Sequence, residues 1–452
     1  MQKYSYNKDE LLELASKRKY VQLREKLTHL NEVDTADFIS TLPEAQQMLV
    51  FSLAGKEVAA DVFAALPSEN QESLIDSLND QQLSAIVEDI AVDDMVDIVG
   101  EMPANIVKRI LQRATPSTRE LINRFLRYPE SSAGSIMTAE FIDLKKEMTV
   151  RESIARIKRL ANDMETIYTV YVTDLQRHLE GLVSFKDLIL ADDNTHVSEI
   201  MDKDVISIKT TDDKEHVAKM FNKYDFLTLP VVDAEGRLVG IVTVDDAVDV
   251  MEDEATEDIE KMAALQPSEK PYLKTSVLEL AGHRIVWLLV LMISGMLTGG
   301  ILGHYEQAFV AIPILVTFIP MLTDTGGNSG SQASTLIIRG MTVGELQPRD
   351  WLRILWKEIR VSFIVGIILG GVNFLRIYFL YRGSTLSVAL TVSLAMCCTV
   401  MLAKTLGCIL PILAKQLKID PAMMAAPLIT TIVDAVSLII YFNIARVILN
   451  LS

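Results

Sequence analysis

The pattern of apolar and polar positions takes three successive forms along the chain. Residues 1 to about 130 carry apolar positions at three- and four-residue spacing in short segments, each opened by Pro or a polar residue that suits a helix start. LPEAQQMLVFSL begins at Leu42, LPSENQESLIDSL at Leu66, LNDQQLSAIVEDI at Leu78 and MPANIVKRILQRA at Met102, so the openings fall at multiples of twelve residues. Short amphipathic helices in such a rhythm predict an N-terminal α-solenoid over 1–130. From about 137 to 252 the pattern becomes a helix, a β-rich pair and another helix, written twice. From Ile285 onward it is membrane-like: Ile285–Leu302, Ala308–Leu322, Val361–Leu375, Gly383–Ala403 and Pro421–Ile444 predict five spans within a membrane domain over 281–452.

Basic residues cluster between spans two and three (Arg339, Arg349, Arg353, Lys357, Arg360) and between four and five (Lys415, Lys418). The loop of spans one and two has none, and that of three and four only Arg376 and Arg382. The excess of positive charge inside places the N-terminus in the cytoplasm and the C-terminus outside a plasma (inner) membrane. The first residues, with Lys3, Asp9 and Glu10, show no apolar signal region, which agrees.

Charge divides the chain as sharply as hydropathy. From Arg284 onward there are 12 basic and 7 acidic residues; upstream there are 31 and 53, a net of −22. Such a field disfavours nucleic acid and favours cations as partners. Glu88, Asp89, Asp93, Asp94 and Asp97 crowd one segment, and in TVDDAVDVMEDEATEDIEKM the residues Asp246, Asp249, Asp253, Glu257 and Glu260 fall on one helical stripe. Like charges at this spacing repel by about 0.2 to 0.5 kcal/mol per pair, so the stripe calls for something positive. Hard divalent cations such as Mg²⁺ answer that need; a merely solvated linker is the plainer alternative. Asp225 is expected on the same acidic surface. The three cysteines, Cys397, Cys398 and Cys408, lie in one apolar run without disulfide or zinc spacing and read as packing residues.

Asp434 stands thirteen residues into the last apolar run, roughly 20 Å along a helix and well inside a hydrocarbon core about 30 Å thick. A charge there costs about 2.5 to 3.5 kcal/mol on insertion scales and marks an ion path. Span two runs into IPMLTDTGGNSGSQ, where Pro320, Gly326, Gly327 and Gly330 are expected to interrupt the helix and free carbonyls, with Asn328, Ser331 and Gln332 as further oxygen ligands. A phosphate loop would end in Lys-Ser/Thr, which is absent.

Two resemblances sharpen this. YVTDLQRHLEGLVSFKDL and PVVDAEGRLVGIVTVDDA, with Gly181 and Gly240 and Asp187 and Asp246 each 59 residues apart, resemble a tandem pair of cystathionine-β-synthase-type (CBS, α/β) domains, at 137–200 and 201–252. Each copy opens on Met and a polar residue, Met137-Thr138 and Met201-Asp202. Such pairs regulate attached proteins, some by binding ATP or another adenine nucleotide. With a solenoid before them, an acidic connecting helix at 253–280, TGGNSGSQ after Pro320 and DPAMMAAPLITTIVD in the last span, nearly the whole chain resembles the MgtE family of bacterial magnesium transporters.

That resemblance implies a homodimeric Mg²⁺ channel in the lipid bilayer, not an enzyme, with its pore between spans two and five of both subunits. Asp434 then matches the pore aspartate, Asn328 the asparagine of the GGN motif and Asp420 the carboxylate at the cytoplasmic mouth. Asp93 or Asp94, Asp97, Asp225, Asp246, Asp249, Glu254, Glu257 and Asp258 match carboxylates that close the channel when they hold Mg²⁺. Two departures stand out. Asp324 and Lys404 are charges where neutral residues are expected, and they are expected either to pair with each other or to act singly, Asp324 as a further cation ligand and Lys404 as an electrostatic tuner of the pore. Rival functions are an intramembrane protease, which needs an HExxH that the six histidines do not form, a non-conducting magnesium sensor, and a transporter of Co²⁺ or Mn²⁺.

Overall fold

A computed structural model describes residues 7–56, 58–268, 272–273, 275–306, 310, 312–381, 385–424 and 426–450. Lys3, Ala308, Arg382 and Gly383, used above, lie outside these. The chain divides into two compact units, Met1–Glu252 and Asp253–Ser452.

The first unit opens with ten helices: α1 (Lys8–Ser16), α2 (Tyr20–Leu27), α3 (Glu32–Ser40), α4 (Glu44–Ala54), α5 (Ala59–Ala64), α6 (Ser68–Ser77), α7 (Asp80–Asp89), α8 (Val92–Glu101), α9 (Ala104–Arg113) and α10 (Pro116–Phe125). From α6 onward each is ten residues long, and they begin every twelve. The two residues between them explain the rhythm. The first, as in Leu78, Ile90 and Met102, leaves the helix in extended conformation and buries its side chain. The second caps or presets the next helix: Asn79 accepts from the Gln81 and Gln82 amides, Thr115 from that of Thr118, and Pro103 holds the fixed φ of an entering residue. Alternate helices pack on one another, α2 on α4, α3 on α5, α5 on α7 and α7 on α9.

Two three-stranded sheets follow. The first joins β1 (Asp143–Leu144), β2 (Thr169–Thr173) and β3 (Leu179–Ser184), with α11 (Val150–Leu160) and α12 (Phe185–Leu190). After the short α13 (Val197–Ile200), the second joins β4 (Ile208–Lys209), β5 (Thr228–Val232) and β6 (Leu238–Thr243), with α14 (Lys214–Tyr224) and α15 (Val244–Met262). In both, the first pair is parallel and the second antiparallel, with matching register, Thr169 opposite Ser184 and Thr228 opposite Thr243. A bulge falls at the same place in each, after Val172 and after Val231.

The opening residues of each copy do not join their own sheet. Thr138 exchanges backbone bonds of 2.8 and 2.9 Å with Ile241 of the second sheet, and Asp202 exchanges a pair of 2.9 Å with Leu182 of the first. This crossing explains the two glycines 59 residues apart. A Cβ on Gly240 would lie 2.7 Å from the Thr138 carbonyl oxygen, and one on Gly181 would lie 2.8 Å from that of Asp202.

α15 continues past Glu252 into the second unit and ends at Met262 rather than near 280; Ala264 turns left-handed (φ 55°) and Pro267 follows, so the helix has no continuation. The second unit then contains α16 (Val277–His304), α17 (Ile319–Thr342), α18 (Trp351–Leu380), α19 (Leu386–Gln416) and α20 (Ala426–Leu449). Four described stretches are long and apolar enough to cross a membrane: Val277–His304, Pro348–Leu380, Leu386–Gln416 and Pro421–Leu449.

The expected second span, Ala308–Leu322, takes a different form. A 3-10 turn over Pro313–Phe318 leads into α17, whose 24 residues run unbroken through the whole TGGNSGSQ segment. The expectation of an interrupted helix with freed carbonyls is therefore wrong. Pro320 sits in the first turn, where its missing N–H costs nothing, and the glycines are packing surfaces. Gly407 of α19 is pressed against the Gly330 carbonyl, and a Cβ on Gly330 would lie 2.7 Å from Ile429 Cγ2. Small residues at such crossings let membrane helices approach until their backbones touch. Tyr441 of α20 fixes the turn before α17 by donating its hydroxyl to the Leu315 carbonyl at 2.9 Å.

Gly240→Ala should lower the stability of the full-length protein by about 1 to 3 kcal/mol, because the added methyl meets backbone. Gly100→Ala in α8, where a Cβ meets nothing within 4 Å, should be neutral or stabilising by up to about 1 kcal/mol. Thermal unfolding of both variants in detergent checks the contrast.

Candidate functional site

In the first unit the fold concentrates carboxylates. α8 carries Asp93, Asp94 and Asp97 within two turns because its other face, Val92, Met95, Val96 and Val99, is core. Asp246 in the first turn of α15 faces the same group, as do Asp245 and Glu165. Burial together with Asp94 pushes Asp93 up to about 6, and one of its oxygens is sealed from solvent without a hydrogen-bond partner among the described residues. Burial, then Asp93, Asp94 and Asp246, pushes Asp97 up to about 7. Burial, then Asp93, Asp245 and Asp246, does the same to Glu165, also to about 7. Asp246 rises to about 6 by burial and its neighbours, although its Oδ2 accepts from Thr243 Oγ1 at 2.5 Å. Asp94 and Asp97 keep part of their surface open to water, which screens but does not cancel the repulsion.

Asp93, Asp94, Asp97 and Asp246 are thus brought together. Asp225 stands at the left-handed C-cap of α14 (φ 55°). Asp249, Glu254, Glu257 and Asp258 follow along α15, which is one 19-residue helix, so the expected stripe exists on a single element. Glu165 and Asp245 were missed by the sequence reasoning. Glu165 lies between a 3-10 turn and β2, outside any periodic pattern, and nothing local betrays its placement. Among the described residues, no three His, Cys, Asp or Glu side chains converge into a preformed metal set.

In the second unit, α17 has two faces. Gly326, Gly327, Gly330 and Ser334 are buried against α19 and α20: a Cβ on Gly326 would meet Thr399 Cγ2 at 2.7 Å and Val433 Cγ1 at 2.9 Å, and one on Gly327 would meet Thr430 Cγ2 at 2.8 Å. The opposite face carries Asp324, Asn328, Ser331 and Thr335, about one helical turn apart and open except for the half-buried Ser331. Asp434 of α20 is half-buried, lies within electrostatic reach of Asp324, and has one oxygen sealed from solvent without a partner among the described residues. The fully buried Thr399 and Ser437 hydroxyls likewise have no such partner.

Lys404 is buried at 6% exposure, yet within this chain, among the described residues, it makes no ion pair with Asp324. The expected pair is not made within one chain. Asp324 projects from the open face of α17, whereas Lys404 adjoins Ala403, whose carbonyl packs on the Gly330 side. Asp420, just before the 3-10 turn Pro421–Met424, accepts from the Ala422 amide at 2.9 Å and from Lys261 Nζ at 2.8 Å. Lys261 was also missed, although its place four residues after Glu257 was visible.

Comparison with known proteins accords with both halves. Residues 319–444 match the family profile described as divalent cation transporter, 30–131 that of the MgtE intracellular N domain, and 197–253 that of the CBS domain. A magnesium transporter MgtE from Thermus thermophilus is 37% identical over 432 residues, 95% of each chain. One from Enterococcus faecalis is 31% identical over 96% of this chain and 95% of its own. Among solved structures, the cytosolic domain of the Mg²⁺ channel MgtE in complex with ATP is 38% identical, with a TM-score of 0.50 over 53% of this chain and 98% of its own. The soluble part of a magnesium transporter is 32% identical, with a TM-score of 0.52 over 55% and 98%.

The raised carboxylates have a signed pH consequence. Their native values lie above the unfolded range near 4, so the stability they contribute is full below about pH 4 and lost as pH rises through 6 to 7. Without divalent cations, the Tm should rise as pH falls from 7.5 to 5.5. Asp97→Asn should raise Tm at pH 7.5 on the order of 2–4 °C and add little at pH 5.5. A melting series at both pH values, in chelator, checks this.

Proposed function

This chain belongs to the MgtE family of magnesium transporters, and from that premise we propose that it works as a homodimeric, Mg²⁺-selective channel closed by Mg²⁺ on its cytoplasmic carboxylates. The observation that carries the reading is the open polar face of α17. Asp324, Asn328, Ser331 and Thr335 would be costly against lipid, so that face belongs against a water-filled path or a second copy of itself. A two-fold axis beside α17 and α20 satisfies both needs and doubles Asp434 into a pair of carboxylates. Such a pair concentrates a cation without enclosing it, which suits an ion that keeps much of its water shell.

Under this reading α17, with the turn before it, is the second of five spans, and α1 to α10 form a solenoid. The N-terminus is cytoplasmic and the C-terminus outside. Asp434, Asn328, Asp324 and Asp420 line the route; Pro320, Gly326 and Gly327 shape the helix that carries them. The regulatory set is Asp93, Asp94, Asp97, Asp225, Asp246, Asp249, Glu254, Glu257 and Asp258, to which Glu165 is added. Two unit charges 4 Å apart repel by about 4 kcal/mol at an effective dielectric of 20. Cations that bridge such groups favour the compact form by RT ln(1 + [L]/Kd) per site. An adenine nucleotide is a second ligand of the CBS pair, by analogy with the ATP of the related cytosolic domain.

The test is Mg²⁺ flux into liposomes holding the full-length protein, with Mg²⁺ varied on the cytoplasmic face. Asp434→Ala should lose at least tenfold of the flux, and wild-type flux should fall as cytoplasmic Mg²⁺ rises. Mg²⁺ flux indifferent to both would overturn the reading, no flux at all would favour a non-conducting sensor, and flux of Co²⁺ or Mn²⁺ alone would reassign the substrate.

A further inference from the structure

At one point the chain supplies its own cation to a carboxylate of the route. Lys261 lies in the last turn of α15, within the second unit. Its Nζ donates to Glu257 Oε1 at 2.7 Å, one turn back, and to Asp420 Oδ2 at 2.8 Å, 159 residues away in sequence. The second oxygen of Asp420 is held by the Ala422 amide at 2.9 Å, so both oxygens are engaged and the carboxylate is oriented. The neighbouring Asp258 accepts from Thr342 Oγ1, in the last residue of α17, at 3.4 Å. The Gln266 amide donates to the His283 carbonyl of α16 at 3.1 Å. The end of α15 is thereby tied to α16, to the end of α17 and to the segment entering α20.

The ammonium is a permanent charge. Burial works against it, but Asp420 and Glu257 outweigh burial and raise its pKa above the ordinary lysine value. The side chains of Lys261 and Asp420 are only 24% and 32% exposed, which limits screening by salt.

We propose that Lys261 is the resident cation of Asp420, which a transported ion must displace, and that it selects for divalent ions. The proposal rests on the reading of Asp420 as a carboxylate of the ion path. A tethered ammonium competes at an effective concentration in the millimolar range or above. A monovalent ion brings no more charge than the lysine it would replace, whereas a divalent ion brings twice as much and gains twice the Coulomb energy at equal distance. While Lys261 holds Asp420, the end of α15 stays fastened to the segment entering α20. Lys261 is a positioning residue, since it acts on the ion only through Asp420.

The experiment compares wild type, Lys261→Gln and Lys261→Arg as full-length proteins in liposomes, measuring Mg²⁺ and K⁺ flux at a series of cytoplasmic Mg²⁺ concentrations. Lys261→Gln should raise K⁺ flux several-fold relative to Mg²⁺ flux and raise the half-closing Mg²⁺ concentration several-fold. Lys261→Arg, which keeps the charge, should stay close to wild type in both. Lys261→Gln matching wild type in both readouts overturns the proposal. So does Lys261→Arg as defective as Lys261→Gln, or a Lys261→Gln protein that carries no Mg²⁺ while Lys261→Arg does. A wild type that carries no Mg²⁺ at all overturns instead the functional reading beneath it.

Discussion

Repulsion between carboxylates held closer than they would choose is the constraint on which the rest of the molecule depends. In the first unit α8 and α15 bring aspartates together in partly buried surroundings, where each disfavours ionisation of the next. The core beneath them, built on Val92, Met95, Val96 and Val99, keeps them from moving apart along the helix. An arrangement of this kind is poised: protons stabilise it and their removal loosens it, and under the proposed function divalent cations act in the same sense. A preformed ligand cage would bind more tightly but would lose that responsiveness.

The membrane half meets the same constraint with the opposite arrangement. There, α17 packs closely on α19 and α20 through glycines that leave no room for a Cβ. The other side of α17 carries the polar row Asp324, Asn328, Ser331 and Thr335, with Leu336 exposed beside it. The glycine-rich segment works as a continuous helix because its glycines are paired with Thr430, Val433, Ile429 and the backbone of α19, which supply the contacts that an isolated glycine-rich helix lacks. Lys261 belongs to this pattern of charge, as a fixed positive group between Glu257 of the acidic helix and Asp420.

The paired sheets show how a repeat becomes one body. Each copy lends its opening residues to the other's sheet, so neither is complete alone. The exchange requires backbone to pass where a side chain would stand, and Gly181 and Gly240 leave that space. A ligand or ion that shifts one copy therefore acts on both.

Much was legible in the chain itself: the twelve-residue rhythm of short helices, the 59-residue repeat, the acidic stripe on α15, the apolar spans and the carboxylate of Asp434 are all local periodicities or local exceptions to them. Periodicity is set by backbone geometry and survives in one dimension. Tertiary structure alone decided that TGGNSGSQ stays helical, because the compensating contacts come from residues about 70 to 110 positions later. It alone brought Glu165 to the acidic group, kept Lys404 from Asp324 and set Lys261 on Asp420. Those outcomes depend on which faces meet across long sequence separations, and charge, unlike hydropathy, has no period that announces its partner.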